Sequence, residues 1–365
     1  MKMKHFGHPR KRRHLAVLVV LILILIHCTA HQDDPIQKYG IENLDHLGID
    51  SKRLARAYQK ADDLGFVYAM IVERGGEIAA EYYFAGKTEN DFFNVKSVSK
   101  SILSALLGIA MEKGIISGLD QRISGLFPEY HSHIRDTRFH QITIGHLLMM
   151  RGGIDRDRTV FSRVFYSANP LKAIFEESLL FEPGSDMIYS TPLTHLLACS
   201  LSRLLKEDLK VFADQHLHGP LEISVDDWEI DPQGNRIGGN NMRFQTRELV
   251  KFGRLYADGG IYKGQQIVPK DWIEQSIENS LTEPGGNWGA LEEIGYGYLW
   301  WLGKIRGYDV YTAIGYGGQF VMHVPELDLL IVTNADSEIG WDSADAHERA
   351  ILDIIRDHIL PAIGQ

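Results

Sequence analysis

Strand-like sequence is confined to the two ends of this chain, and that distribution constrains the fold more than any other feature. Near the amino end, "FVYAMIVERGGEIAAEYYFAG" (66–86) joins two runs of β-branched, aromatic and small apolar residues across Arg74-Gly75-Gly76, the pattern of a β-hairpin. Near the carboxyl end, 296–335 holds three strand-like runs divided by Gly303-Lys304-Ile305-Arg306-Gly307 and by Pro325-Glu326-Leu327-Asp328. Helical periodicity and long loops dominate between them, from about Ser99 to Val250. Amphipathic helices flank both ends: "SKRLARAYQKADDL" sets Leu54, Ala57, Tyr58, Ala61 and Leu64 on one face behind a serine able to cap it, and "SADAHERAILDIIRDHIL" closes the chain. These elements imply an α+β fold: one antiparallel sheet built from both termini and flanked by helices, with an inserted, mainly helical subdomain. The sheet part is expected at about 45–97 and 255–365, and the helical part at about 98–254. A cleft between the two is the expected place for a small-molecule site.

The first thirty residues read as a separate object. A basic stretch, "MKMKHFGHPRKRRH", precedes the apolar run Leu15 to Ile26, which is short for a membrane span and suits the apolar region of a signal peptide. Two endings are open, cleavage after Ala30 or lipidation of Cys28. Export to the periplasm or beyond is therefore expected for the 31–365 domain, with membrane attachment only through the signal or a lipid on Cys28. With the leader set aside, Cys199 is the single cysteine left, so no disulfide framework can form; its apolar helical context reads as a buried small hydrophobe. A net charge of −10, with no Lys/Arg stripe after the leader, argues against nucleic acid as a partner.

The chemistry starts from "FFNVKSVSKSIL". If a helix begins near Ser97, then Ser97 and Lys100 lie one turn apart on the same face, within reach of each other. A serine hydroxyl needs something to take its proton, and a lysine does so only when its pKa is lowered. Val98, Ile102, Leu103 and Leu106 offer the necessary apolar surroundings, and the helix N-terminus offers N–H groups for a developing negative charge. Alone the signal is weak: an S-x-x-K spacing arises about once by chance in a chain of this size, and serine is a common cap. Two further elements add to it. Tyr189 follows a Pro-Gly turn just before a helix in "FEPGSDMIYSTPLTHLLACSLSRLL", where its phenol can project from a loop edge. In "YTAIGYGGQF", Gly315, Gly317 and Gly318 open a strand and leave backbone N–H groups free to face a ligand.

In this order and at these intervals, the three elements resemble the serine β-lactamase and penicillin-binding-protein superfamily, in particular its class C-like branch of esterases, amide hydrolases and D-peptidases. The likeness runs from about Leu47 to the last helix. "SVSK" matches the family's S-x-x-K; "YST" stands where Y-x-N is usual, and "AIGYGGQ" where a K-T-G or H-x-G strand is usual. The resemblance implies that Ser97 is acylated, that Lys100 helps remove its proton, and that Tyr189 shuttles a proton to the leaving group. It implies an oxyanion hole made by the N–H groups of Ser97 and of Tyr316, which follows Gly315, and no metal or organic cofactor. Thr191 in place of Asn, Ala313 in place of Lys or His, and Gly317 beside them become the candidates for substrate binding. Loss of the cation at Ala313 argues against strong β-lactamase or carboxypeptidase activity, because that cation commonly engages a substrate carboxylate. The expected function is an exported serine hydrolase acting on an ester or amide of a small substrate. The alternatives are a β-lactamase or D-amino-acid peptidase of the same superfamily, and a non-catalytic penicillin-binding-like sensor or cell-wall-binding protein.

Other features carry less. His131, His133 and His140 lie in a polar loop without a recognised zinc spacing, and His146 and His195 fall on apolar helical faces as structural residues. No G-x-S-x-G, P-loop or dinucleotide fingerprint is present. Tyr296, Tyr298, Trp300 and Trp301 fit a cleft wall and a core strand equally well.

Overall fold

The computed structural model describes residues 34–156, 158–278 and 285–364; the leader at 1–30, with Cys28, lies outside the described residues. Its centre is a seven-stranded antiparallel sheet. The strands are β1 (Val67–Arg74), β2 (Glu77–Tyr83), β3 (Glu292–Tyr296), β4 (Trp301–Ile305), β5 (Tyr308–Gly315), β6 (Gln319–Val324) and β7 (Leu329–Ala335), in the order β2-β1-β7-β6-β5-β4-β3. The two ends of the chain meet where β1 pairs with β7, with Ile71 opposite Val332.

The carboxyl half thus supplies five strands where three runs were expected. Gly303, Lys304 and Ile305 are not a turn: they continue β4 in register with β5, Gly303 opposite Val310, and only Arg306-Gly307 reverses the chain. Likewise Tyr316-Gly317-Gly318 does not open a strand but is the turn between β5 and β6. At the other end, helix α1 (Ser51–Leu64) is capped by Asp50, whose carboxylate accepts the Arg53 N–H at 3.1 Å, so Ser51 is its first residue and not its cap.

Strand alternation separates two cores. On one face Ile71, Tyr311, Ala313, Val321 and Val332 pack with helices α2 (Val98–Glu112), α3 (Thr191–Leu205) and α4 (Thr246–Ala257). On the other Met70, Val72, Ile314, Phe320 and Ile331 pack with α1 and α5 (Trp341–Ile354). α2 is buried at 13 of its 15 residues, so it is a core helix surrounded on all sides, and truncating Leu103 or Leu106 to alanine is expected to cost about 2–5 kcal/mol. That rigidity matters because the residue at its N-terminus is Ser97.

Candidate active site

Four segments converge at the N-terminus of α2. The approach is pinned first: Phe93–Asn94 pairs with Arg243–Phe244, the Val95 N–H reaches the Met242 carbonyl at 2.9 Å, and Asn94 Oδ1 accepts the Lys96 N–H. Lys96 then takes a left-handed conformation, φ +48°, which a non-glycine residue adopts only when its surroundings impose it. Ser97 follows in the N-cap position, yet its side chain makes no cap bond. The capping explanation for this serine therefore fails. Its hydroxyl instead meets Lys100 Nζ at 2.8 Å, while Ser99 and Ser101 turn away to the carbonyls of Lys96 and Leu299.

Lys100 is 1% exposed, and its amine touches three oxygens: Ser97 Oγ at 2.8 Å, the Gly239 carbonyl at 2.7 Å and Thr191 Oγ1 at 3.3 Å. None is a carboxylate. Burial without a counter-charge lowers its pKa to about 7. In the neutral amine, two N–H bonds are satisfied by Gly239 and Thr191, which leaves the lone pair for the Ser97 hydroxyl. Thr191 thus contacts the lysine from the position where the resemblance expects asparagine.

Tyr189 is held alongside by the segment at Met150, whose carbonyl accepts the Ile188 N–H at 3.0 Å. Its ring centre lies 5.0 Å from Lys100 Nζ, stacks on Trp301 and meets the edge of Tyr296. Burial holds the phenol above its ordinary pKa; the Ser97 hydroxyl pulls it the other way, and Glu348 adds to the rise. The aromatic quartet of the sequence divides accordingly. Tyr296 and Trp301 pack at the site, whereas Trp300 is fully buried against Phe252 and Tyr256, and Tyr298 lies on Trp272.

The sheet reaches the site through the end of β5. A Cβ placed on Gly315 would lie 2.3 Å from the Val95 carbonyl oxygen, so only glycine lets this strand end abut the backbone two residues before Ser97. In the following turn the Gly318 N–H returns to the Gly315 carbonyl and the Gly317 N–H donates to Glu348 Oε1 at 2.9 Å. The expectation that Gly317 offers a free N–H to a ligand is therefore corrected: a buried carboxylate consumes it. Tyr316 differs. Its N–H, like that of Ser97, has no partner among the described residues, while its hydroxyl is tied to the Ile339 carbonyl at 2.7 Å. Ala313 is 1% exposed on the sheet face toward α2, a core contact; its bearing on substrate choice lies in the charge it lacks.

A beta-lactamase family model matches residues 52–355, most of the chain and all of the segments just described. The chain belongs to the beta-lactamase family. It is a serine hydrolase, as the motifs led us to expect, with the β-lactamase and penicillin-binding-protein fold. A 6-aminohexanoate-dimer hydrolase of Paenarthrobacter ureafaciens is 26% identical over 289 residues, which cover 72% of this chain and 71% of that protein. Among solved structures, a hydrolase with promiscuous acyltransferase activity superposes with a TM-score of 0.66 at 17% identity, covering 84% of this chain and 98% of its own. A D-stereospecific amidohydrolase from Streptomyces sp. gives 0.64 at 15% identity, covering 83% and 98%. At such identities these two likenesses concern the fold.

Two residues of this beta-lactamase-family site went unnoticed in the sequence. Gly239 lies in "RIGGNN", where the paired glycines were the available sign that backbone must pass close to something. Glu348 occupies the apolar stripe of α5 with Ala344, Ile351 and Leu352, and a carboxylate on a core-facing stripe was the sign there.

Proposed function

We propose that the protein is an exported hydrolase that cleaves an ester or amide bond of a small substrate through an acyl group carried on Ser97. The observation that carries this reading is the 2.8 Å contact of Ser97 Oγ with a buried lysine that has no carboxylate partner among the described residues and a pKa of about 7. A lysine so placed is half unprotonated at neutral pH and acts as a general base. As Ser97 Oγ bonds to the substrate carbonyl carbon, its proton passes to Lys100 Nζ, and the carbonyl π electrons move to oxygen. The resulting oxyanion is stabilised by the N–H groups of Ser97 and Tyr316, which have no partner among the described residues. When the tetrahedral centre collapses, the bond to the leaving alcohol or amine breaks, Tyr189 O–H protonates it, and the phenolate is refilled from Lys100. Water then repeats the sequence on the acyl group and releases the acid and Ser97.

The aromatic wall of Tyr189, Tyr296 and Trp301, with alanine at 313, suits an uncharged acyl portion. The relative named for 6-aminohexanoate dimer points to an amide as well as an ester. Export belongs to the proposal through the leader alone, and fractionation of cells making the full chain tests it. A fluorophosphonate should label the protein once, and Ser97→Ala should remove the label. Esters such as p-nitrophenyl butyrate should turn over faster than nitrocefin or a D-Ala-D-Ala peptide. Labelling that survives Ser97→Ala, or nitrocefin as the preferred substrate, would overturn the reading.

A further inference from the structure

Behind the base lies a polar cluster that the reaction does not use. His195 on α3, Asp231 and Cys199 are 0%, 4% and 2% exposed, and their donor atoms lie within 4.8 Å of one another. The trio has the composition of a metal site, but the carboxylate is already full. Asp231 Oδ1 accepts the N–H groups of Gln233 and Asn235, both at 2.8 Å, and Oδ2 accepts Asn235 Nδ2 at 2.9 Å and His195 Nε2 at 3.1 Å. A cation would have to displace several of these bonds from a buried acid. Cys199 Sγ, 3.8 Å from the same His195 nitrogen, is too enclosed to serve as a nucleophile.

The other face of the imidazole is the informative one. Nδ1 accepts the Gly238 N–H at 3.3 Å, so that nitrogen carries no proton and Nε2–H points to Asp231. Burial opposes a charge on the ring, while Cys199 and Asp231 outweigh it and pull its pKa up to about 10. Against that pull, the Gly238 N–H aimed at Nδ1 leaves no room for a proton on that nitrogen, and the hydrogen-bond geometry is that of the neutral ring. The next carbonyl along, Gly239, is the one that holds Lys100. This backbone has no slack. Gly239 has φ +79°, and a Cβ on it would lie 2.3 Å from Thr194 Oγ1 and 2.8 Å from Lys100 Cγ. The hydrogen-bonded chain therefore runs Asp231, His195, Gly238, Gly239, Lys100.

We infer that His195, oriented by Asp231, is a positioning residue for the base. It fixes the Gly238–Gly239 backbone so that the Gly239 carbonyl takes one N–H of Lys100 and leaves the amine's lone pair on Ser97. The inference rests on the reading of Lys100 as the base of a Ser97 hydrolase. Its physical content is that a released Gly238–Gly239 segment would lose the best acceptor of Lys100 and admit water beside it. The lysine pKa would then rise toward its ordinary value, and less of the neutral base would be present at pH 7.

Two replacements separate positioning from mere support. The oxygen of His195→Asn can occupy the place of Nδ1 and keep the Gly238 bond. His195→Gln can keep the donor to Asp231 but loses that acceptor. We expect His195→Gln to lower kcat for p-nitrophenyl butyrate at pH 7 about tenfold and to move the acidic limb of its pH profile upward, and His195→Asn to stay within about threefold of wild type. The Lys100 pKa, followed by NMR of [13C-ε]lysine-labelled protein with Lys100→Met for assignment, should rise in His195→Gln and hold in His195→Asn. An unchanged Lys100 titration in a folded His195→Gln protein overturns the inference, as does an equal loss of activity in both variants that tracks melting temperature alone. The NMR reading needs no substrate, so a shifted Lys100 in a protein that Ser97-directed probes fail to label would sink the hydrolase reading and leave the positioning role standing.

Discussion

The two flanks of Ser97 solve opposite electrostatic problems with groups that titrate in the same range. On the helix side, Lys100 is surrounded by a carbonyl and two hydroxyls, and burial alone brings its pKa down to about 7. On the sheet side, the turn that presents the Tyr316 N–H is pinned at Gly317 by Glu348, a carboxyl that burial raises to about 7. As pH climbs through neutrality, the first flank loses a positive charge and the second gains a negative one. In the proposed mechanism Lys100 must be neutral to act as the base, so a carboxylate beside it would defeat the purpose by holding it as ammonium. The turn needs only a fixed acceptor, and a carboxyl supplies that in either protonation state.

The largest expected effect comes from erasing the helix flank. Lys100→Met should lower kcat/KM at pH 7 by on the order of 10³-fold, the range of a lost general base. It should also stabilise the fold. The folded pKa of Lys100 is about 7 against an ordinary 10.5, so the penalty for burying its charge is absent above pH 10.5 and fully felt below 7. After allowing for the Gly239 and Thr191 oxygens left without a donor, a gain of about 2 kcal/mol at pH 6 is expected, fading toward pH 10. Chemical denaturation at the two pH values checks it; a variant no more stable at pH 6 than at pH 10 would mean that the flank is not dry.

Tyr189 sits between the flanks, feeling Ser97 from one and Glu348 from the other. Tyr189→Phe should cost about 10²-fold for an amide, whose leaving amine needs a proton, and much less for p-nitrophenyl esters, whose leaving group does not. Equal losses for both substrates would move Tyr189 from proton donor to simple wall.

How far these flanks were legible in the sequence follows from what each is made of. That Ser97, Lys100 and Tyr189 come together could be expected because their spacing is local or follows the order of known motifs, and the structure does place them side by side. The sheet built from both termini was legible from apolar runs, but its five carboxyl-side strands were not. Gly303 reads as a turn residue while in fact lying within β4, and Gly317-Gly318 reads as a strand opening while in fact reversing the chain. Glycine states where backbone passes closely or bends; which of the two it does depends on the partner, and the partner is distant. The same holds for the Gly239 carbonyl and for Glu348, whose meaning appears only once Lys100 and Gly317 are folded against them.

Erasing the charge of the sheet flank should have a smaller effect and one of opposite pH dependence. Glu348→Gln keeps an oxygen for the Gly317 N–H and removes the ionisation. With the folded pKa raised to about 7 from an ordinary 4.5, the wild-type carboxyl gives its full stability below pH 4.5 and loses it as pH rises through 7. The variant should therefore match wild type near pH 4.5 and exceed it by roughly 2 kcal/mol at pH 8. Turnover should rise a few-fold above pH 7, because the turn that presents the Tyr316 N–H then carries no anion, and should be unchanged at pH 6. A drop in turnover at every pH would show that Gln fails to hold the turn.

The smallest effect tests whether the three oxygens around Lys100 are equal. Gly239 lies 2.7 Å from Nζ and Thr191 Oγ1 3.3 Å, so the carbonyl is the stronger acceptor and the hydroxyl marks the weak corner of the helix flank. Thr191→Val keeps the shape and removes the oxygen. A net hydrogen bond of about 1 kcal/mol corresponds to roughly a fivefold fall in acylation rate, less than the tenfold expected when the Gly239 segment is released through His195→Gln. Acylation measured in single turnovers with p-nitrophenyl butyrate resolves the two. If Thr191→Val proves the more damaging, the orientation of the amine is set at the start of α3, and the Gly239 carbonyl is the secondary contact.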